Sequence, residues 1–341
     1  MDSLSQIALG AAVSVAVFRR KQPVWQSALL GAVVGTLPDL DVLISHGDPV
    51  SDMTYHRTES HALFYLTLIS PLLAWLWLKI SRKSDLFKTS LLAVWLVLVT
   101  HPLLDTLTIY GTQLGLPFTD YPFGSGSVFI IDPLYTVPLL LGTGLVLAGR
   151  RLRWNHIGLA LGTAYLGFGL WAQQQVTTLA LTQLPVAASN PQLLVTATPF
   201  NTLLWRLLLV EETQYFEGYY SLLDKTPVIE WQAYPRDAAL LKQWQQQTAV
   251  ARLNWFSHGF ITLTKQSEQA LLLTDLRMGM EPGYSFRFVL PLDTQQQVSG
   301  LPEQLDMPRD DRAFGWLYRR ALGQTKLGLA QYLQQSSLES R

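Results

Sequence analysis

The chain has 341 residues, of which 49% are hydrophobic and 15% charged, and its 25 basic and 25 acidic side chains cancel to no formal net charge. That balance shows no basic excess of the kind that nucleic-acid binding requires, and the apolar fraction is too high for an ordinary soluble protein. With no cysteine at all, a disulfide framework and thiolate metal ligands are both excluded.

The first apolar run, Leu4 to Phe18, is short for a full membrane span but carries Gly10, Ala11 and Ala12, small residues suited to close helix packing. Asp2 precedes it and Arg19-Arg20-Lys21 follows it, the reverse of a cleavable leader, so a retained membrane segment is expected. Trp25 to Leu37 is a second run of similar length, and the pair reads as a tilted hairpin or as partly re-entrant. Ala62 to Leu78 and Leu86 to Leu104 are clearer spans, the former tolerating Pro71. Pro133 to Ala148 and Trp154 to Trp171 complete six candidate helices. Periodic charged faces, which core helices of a soluble protein would show, are missing throughout.

Charge sets the expected orientation. Every Lys and Arg before residue 172 except Arg57 falls in the loops after the first, third and fifth runs, and short basic loops stay cytoplasmic. Asp39, Asp41, Asp48, Asp52, Glu59, Asp105, Asp120 and Asp132 then share the opposite side, with Asp85 the sole acid among the basic loops. An integral inner-membrane protein is expected, its N-terminus and everything after Trp171 outside the cytoplasm.

Residues 1–172 thus form an expected α-helical integral membrane bundle, 173–191 a juxtamembrane helix and linker, and 192–341 a small extracytoplasmic α+β domain. In that domain β-rich runs alternate with turns: Leu193 to Ala197, Trp205 to Glu211, Tyr215 to Leu222, Val228 to Tyr234, Phe260 to Thr264, Ala270 to Asp275 and Tyr284 to Leu290. One helix from about Asp237 to Phe256 separates two strand groups, and another from about Arg312 to Gln335 closes the chain. His258 and Arg277 read as structural.

Polar residues gather where the apolar runs end. Asp39 and Asp41 flank one leucine behind Pro38, which disfavours helix at Leu37. On extended or turn backbone both carboxylates can point the same way and reach one metal or a dinuclear pair; solvated aspartates at a helix end are the alternative. His56 and His61, five apart, converge if His56 lies in the loop and His61 in the first turn of the next helix. His101 and Asp105, four apart, share a helix face, as two ligands of one metal, as a ligand and its supporting partner, or as a hydrogen-bonded staple. Asp132 before Pro133 is either a ligand or an N-cap. Arg57, the lone cation of the outward loops, suits an anionic substrate group or one of the aspartates. Glu59 is a candidate general base or an electrostatic cap. Seven candidate donors exceed what one tetrahedral ion needs, which favours two ions, and nitrogen and oxygen donors fit Zn, Mn or Fe.

These motifs resemble a family. Met1-Asp2-Ser3-Leu4 with Gln6 and Gly10, Gly35 with Pro38-Asp39-Leu40-Asp41, His56-Arg57 with Ser60-His61, His101-Pro102-Leu103-Leu104-Asp105 before Tyr110-Gly111-Thr112-Gln113, and Ile131-Asp132-Pro133 are together similar to the membrane-bound metal-dependent hydrolases. These are also described as LexA-binding, inner-membrane-associated hydrolases. The likeness covers about the first 170 residues. Many relatives carry a histidine where this chain has Gln6 and a glycine where it has Thr58. The resemblance implies a hydrolase. The residues add the expectation of a divalent metal, one or two ions with Zn foremost, activating water against an ester or phosphoester of a lipid or envelope substrate. A regulatory or scaffold protein with a structural metal site is the alternative.

Overall fold

The computed structural model describes residues 1–186, 191–308 and 310–339: a helical N-terminal part followed by a small domain of sheets and short helices. The helical part comprises α1 (Ser3–Phe18), α2 (Val24–Thr36), α3 (Pro49–Tyr55), α4 (Leu63–Ser81), α5 (Phe87–Asp105), α6 (Pro133–Leu147) and α7 (Arg153–Leu181). Asp2 starts α1 by accepting the Leu4 and Ser5 N–H groups, and Arg19 ends it in left-handed backbone at φ 47°. Pro133 opens α6 behind the Asp132 cap, where its missing N–H costs nothing.

The chain divides into two compact units. The first holds Met1–Ile44, His56–Trp171 and Pro199–Asn201. In it α1 packs against α2, α5 and α6, and α4 against α5. Phe18, Leu30, Val34, Leu66, Val97 and Leu98 fill one core between these helices. Two seams bring helix backbones together through glycine. A Cβ on Gly31 would lie 2.0 Å from the Gly10 carbonyl oxygen, and one on Gly158 would lie 2.4 Å from that of Pro138. Such close approach through small residues is how helices associate where no hydrophobic driving force separates protein from lipid.

Among the described residues, two helical stretches are long and apolar enough to cross a membrane, Leu63–Ser81 and Ser84–Asp105. Ser3–Phe18, Val24–Thr36 and Pro133–Leu147 are apolar but shorter. The helix expected to stop at Trp171 continues to Leu181, so the segment read as juxtamembrane helix and linker begins inside α7. Its residues Ala172, Val176 and Ala180, spaced four apart, form an apolar stripe buried with Val195, Trp205 and Ile229 of the sheet domain.

The second unit holds Ser45–Tyr55, Ala172–Thr198 and the described residues from Thr202 onward. Strands β1 (Gln192–Ala197), β2 (Leu204–Val210), β3 (Gln214–Ser221) and β4 (Glu230–Pro235) form an antiparallel meander. Every residue of β2 is buried, including Arg206, the one charge in the run, which is paired with the buried Glu217 of β3. The chain then forms α8 (Ala238–Trp244), α9 (Thr248–Phe256), β5 (Ile261–Ser267), β6 (Ala270–Asp275), β7 (Gly279–Met280), β8 (Gly283–Tyr284), β9 (Arg287–Pro291) and β10 (Glu303–Gln304). A second sheet has the order β10-β9-β6-β5, and β7 pairs with β8. The chain closes with α10 (Arg312–Ala321) and α11 (Leu329–Glu339). Both helices expected to be continuous here are broken. The Gln247 side chain caps a new helix by accepting the Val250 N–H, and Gly323, at φ 68°, takes the left-handed position that stops α10.

Candidate metal centre

Inside the first unit, four side chains converge from three backbone segments. One donor atom each from Asp39, His61, His101 and Asp105 lies within 4.8 Å of all the others. Asp39 stands on a tight turn of 3-10 helix, Pro38–Leu43, where α2 stops. His61 ends a second 3-10 turn, Glu59–His61, just before α4. His101 and Asp105 are one turn apart at the end of α5. His61, His101 and Asp105 are buried and Asp39 is half-buried.

Hydrogen bonds at the far side of each ring fix the tautomers. His101 Nδ1 lies 2.7 Å from the Gly35 carbonyl oxygen, which only accepts, so it must donate. Ser60 Oγ gives its one hydrogen to the Asp41 carboxylate at 2.5 Å and therefore accepts from His61 Nδ1 at 2.8 Å. In the neutral rings both Nε2 atoms then carry lone pairs, and they face each other at 3.1 Å. Asp39 Oδ1 lies 3.3 Å from His61 Nε2 and 3.5 Å from His101 Nε2. Asp105 Oδ2 lies 3.4 and 3.3 Å from the same two nitrogens. It is buried without a hydrogen-bond partner.

Four electron-rich atoms at this spacing repel unless a cation sits among them. A single proton bridges one pair and leaves the other two atoms unsatisfied. A metal ion answers all four at once: a tetrahedron with bonds of about 2.0–2.1 Å has edges of roughly 3.3 Å, and the five separations above span 3.1 to 3.5 Å. Two imidazoles and two carboxylates suit Zn, Mn or Fe.

The surrounding contacts hold these donors in place. Asp105 Oδ1 accepts from Gln6 Nε2 at 3.1 Å, faces Arg57 Nη2 at 3.4 Å and meets the Met1 ammonium, which leaves Oδ2 to point at the cluster. Arg57 adopts left-handed backbone at φ 66°, uncommon for a residue with a Cβ. In that conformation its N–H reaches Asp41 Oδ2 at 3.0 Å, and its guanidinium turns inward, 4.8 Å over the Tyr110 ring. Asp41 also takes His56 Nδ1 at 2.6 Å. Burial pushes the Asp41 carboxyl up, but the His56 and Ser60 hydrogen bonds and the His56 charge outweigh it and hold it below its usual range. An ionised Asp41 is the acceptor that orders Ser60 and, through it, His61.

The candidate residues therefore divide. Asp39, His61, His101 and Asp105 form the cluster, and Asp41 and His56 form a pair behind it. In a 3-10 helix each residue turns about 120°, so Asp39 and Asp41 diverge, whereas extended backbone would have aimed both the same way. Asp132 is committed to other partners. It accepts the Leu134 N–H at 3.0 Å as the α6 cap and the Tyr165 hydroxyl at 2.7 Å, and burial raises its carboxyl despite both. Arg57 is paired inside the protein and Glu59 is exposed. Among the described residues this is the one group of three or more such donors that converges. Gln6, Gly35 and Ser60 entered the sequence reading only as residues of the motifs; the hydrogen bonds by which they hold Asp105, His101 and His61 were not legible there.

The family model described as YdjM inner membrane protein matches residues 1–176, the stretch containing all four donors. No curated protein and no solved structure matches the chain.

Proposed function

The chain belongs to the YdjM inner membrane protein family, and from that premise we propose that it is a membrane-embedded metal-dependent hydrolase acting on an ester or phosphoester of a lipid or envelope substrate. The observation that carries this reading is the pair of imidazole Nε2 atoms facing each other and two carboxylate oxygens at 3.1 to 3.5 Å, the spacing of donors around one ion. Asp39, His61, His101 and Asp105 would hold one divalent ion, with Zn foremost. Such an ion supplies a water acidic enough to ionise near neutral pH and a positive charge to polarise the scissile group.

The chain's own residues define the rest. Asp39 is the one donor with solvent exposure, so substrate approaches from its side. The turn that carries it leaves Leu40, Val42, Leu43 and Ile44 at 52%, 69%, 79% and 59% exposure, an apolar border suited to a lipid chain. Arg57 acts by positioning Asp105, and Glu59, exposed on the turn that carries His61, exchanges the proton with solvent. In this reading all six apolar helices cross or enter the bilayer, the glycine seams provide their packing, and the basic loops face the cytoplasm.

A second reading is a structural metal site in a regulatory or scaffold protein, favoured by the four protein donors, since closed sites use four and catalytic sites keep one position open. Elemental analysis of detergent-purified protein, followed by a phospholipid and phosphoester hydrolysis screen, separates the two. Bound metal with turnover supports the hydrolase, bound metal without turnover on any ester supports the structural site, and absence of metal refutes both.

A further inference from the structure

We propose that the opposite end of the helical unit holds a binding site for an anionic phospholipid with a hydroxyl-bearing headgroup, of the phosphatidylglycerol type. The end of α1, the start of α2, the turn between α4 and α5 and the end of α6 enclose an open cleft of about 600 Å³. The 19 residues of α4 separate its two ends by about 28 Å, close to the roughly 30 Å thickness of a bilayer core. His61 precedes one end and Lys83 follows the other. The cleft therefore belongs to the other membrane face from the metal centre.

Three cations, Arg20, Lys21 and Lys83, line the cleft, and no carboxylate does. Among the described residues none of the three takes part in an ion pair. Arg20 donates through Nη2 to the Arg150 carbonyl at 2.8 Å and Lys21 to Thr89 Oγ1 at 3.0 Å, contacts that hold the charges in place without neutralising them. An independent polar group points to the same ligand. Gln22 lines the cleft and is 4% exposed. Its Nε2 is given to Ser27 Oγ at 3.0 Å, while its Oε1 is buried without a partner. A phosphate answers the cations, and a hydroxyl of the headgroup answers Oε1.

The apolar lining identifies a lipid over a free phosphate ester. Val24, Trp25, Val146 and Leu147 complete the wall. From it an exposed stripe runs down α2 through Trp25, Leu29 and Val33, at 58%, 48% and 51% exposure, residues spaced four apart on one helix face. Acyl chains lie along that stripe while the headgroup sits among the cations, an arrangement in which a tryptophan occupies the headgroup level.

The test uses the full chain reconstituted in nanodiscs of equal parts phosphatidylcholine and phosphatidylglycerol, with retained lipid counted by native mass spectrometry. The wild-type chain is expected to retain phosphatidylglycerol selectively. Each of Arg20→Gln, Lys21→Gln and Lys83→Gln is expected to weaken retention about fivefold, the loss of one near-surface charge contact, whereas Arg82→Gln with Lys88→Gln, outside the cleft, leaves it unchanged. The three single variants are read separately, so misfolding of a combined variant does not decide the outcome. Equal retention of both lipids overturns the proposal, as does retention unaffected by all three single variants. Displacement by millimolar glycerol phosphate alone would identify a soluble phosphate site instead.

Discussion

His61 and His101 meet Nε2 to Nε2 at 3.1 Å, with both Nδ1 hydrogens already given away, to Ser60 and to the Gly35 carbonyl. Neither ring can be removed without halving the nitrogen donors. His61→Ala and His101→Ala are each expected to reduce bound divalent metal from about one ion per chain to near zero, measured by elemental analysis on folded protein. Asp132→Asn, at the α6 cap, should leave metal content unchanged. A wild-type metal content in His101→Ala would refute the site.

Asp41 and Ser60 act one shell further out. Asp41→Asn and Ser60→Ala each leave the four donors in place but release the order of the His61 ring. Metal affinity is expected to fall about 10–100-fold, read by competition with a chelator of known affinity. Unchanged affinity in both variants would show that the Ser60 bridge does not orient the ring.

Asp39, His61, His101 and Asp105 stood among the candidates in the sequence, but how they separate from Asp41, His56 and Asp132 was not legible there. Carboxylates and imidazoles at the ends of apolar runs stand out because burying them without partners is costly. The separation of Asp39 from Asp41 depends on the winding of a six-residue turn, which no period in the sequence reveals. His101 and Asp105 were readable together because a helix turn aligns residues four apart. The Gly35 carbonyl was invisible, because an acceptor exposed by the end of one helix and used by another leaves no trace in residue type. Strands were legible where a short apolar run lay between turn residues, as at Ala270–Asp275, whereas the break between α10 and α11 depended on Gly323 adopting φ 68°.

If turnover accompanies metal binding, Glu59→Gln is expected to lower the rate about 100-fold, the contribution of a positioned acid or base, without changing metal content. A full rate in this variant would remove Glu59 from the reaction.

The Gly10–Gly31 crossing sets the distance between α1 and α2. Gly31→Ala would place a methyl 2.0 Å from a backbone oxygen, and overpacking of this kind costs about 1–3 kcal/mol. A lower thermal midpoint in detergent is expected, together with weaker metal binding, because α1 carries the Gln6 contact to Asp105. Gly144→Ala, with nothing within 4 Å of the added carbon, is the matched control and should melt like the wild type.

In the sheet domain, Asp224 receives Arg320 through two 2.9 Å contacts and Lys326 at 3.0 Å. Burial raises the Asp224 carboxyl, but the Arg320, Ser221 and Lys326 hydrogen bonds lower it further than burial lifts it. With the folded value depressed, its stabilisation is present above the unfolded carboxylate pKa of about 3.9 and is lost as pH falls through the lower folded value. Hydrogen exchange of β3 and α10, corrected for intrinsic rates, should therefore accelerate below about pH 4. Asp224→Asn should remove this component of the acid response and destabilise the domain by about 3 kcal/mol at neutral pH, because Arg320 stays buried without its counter-ion. An unchanged acid profile in that variant would assign the transition to other groups.

Forty positions of chain separate the two facing histidines, and α4 and most of α5 lie between them. A ribosome that has completed Asp39 and His61 has made two of the four clustered donors. The other two, His101 and Asp105, come at the end of α5, so the cluster is complete only once the α4–α5 hairpin has been made and folded back on the turn that carries Asp39.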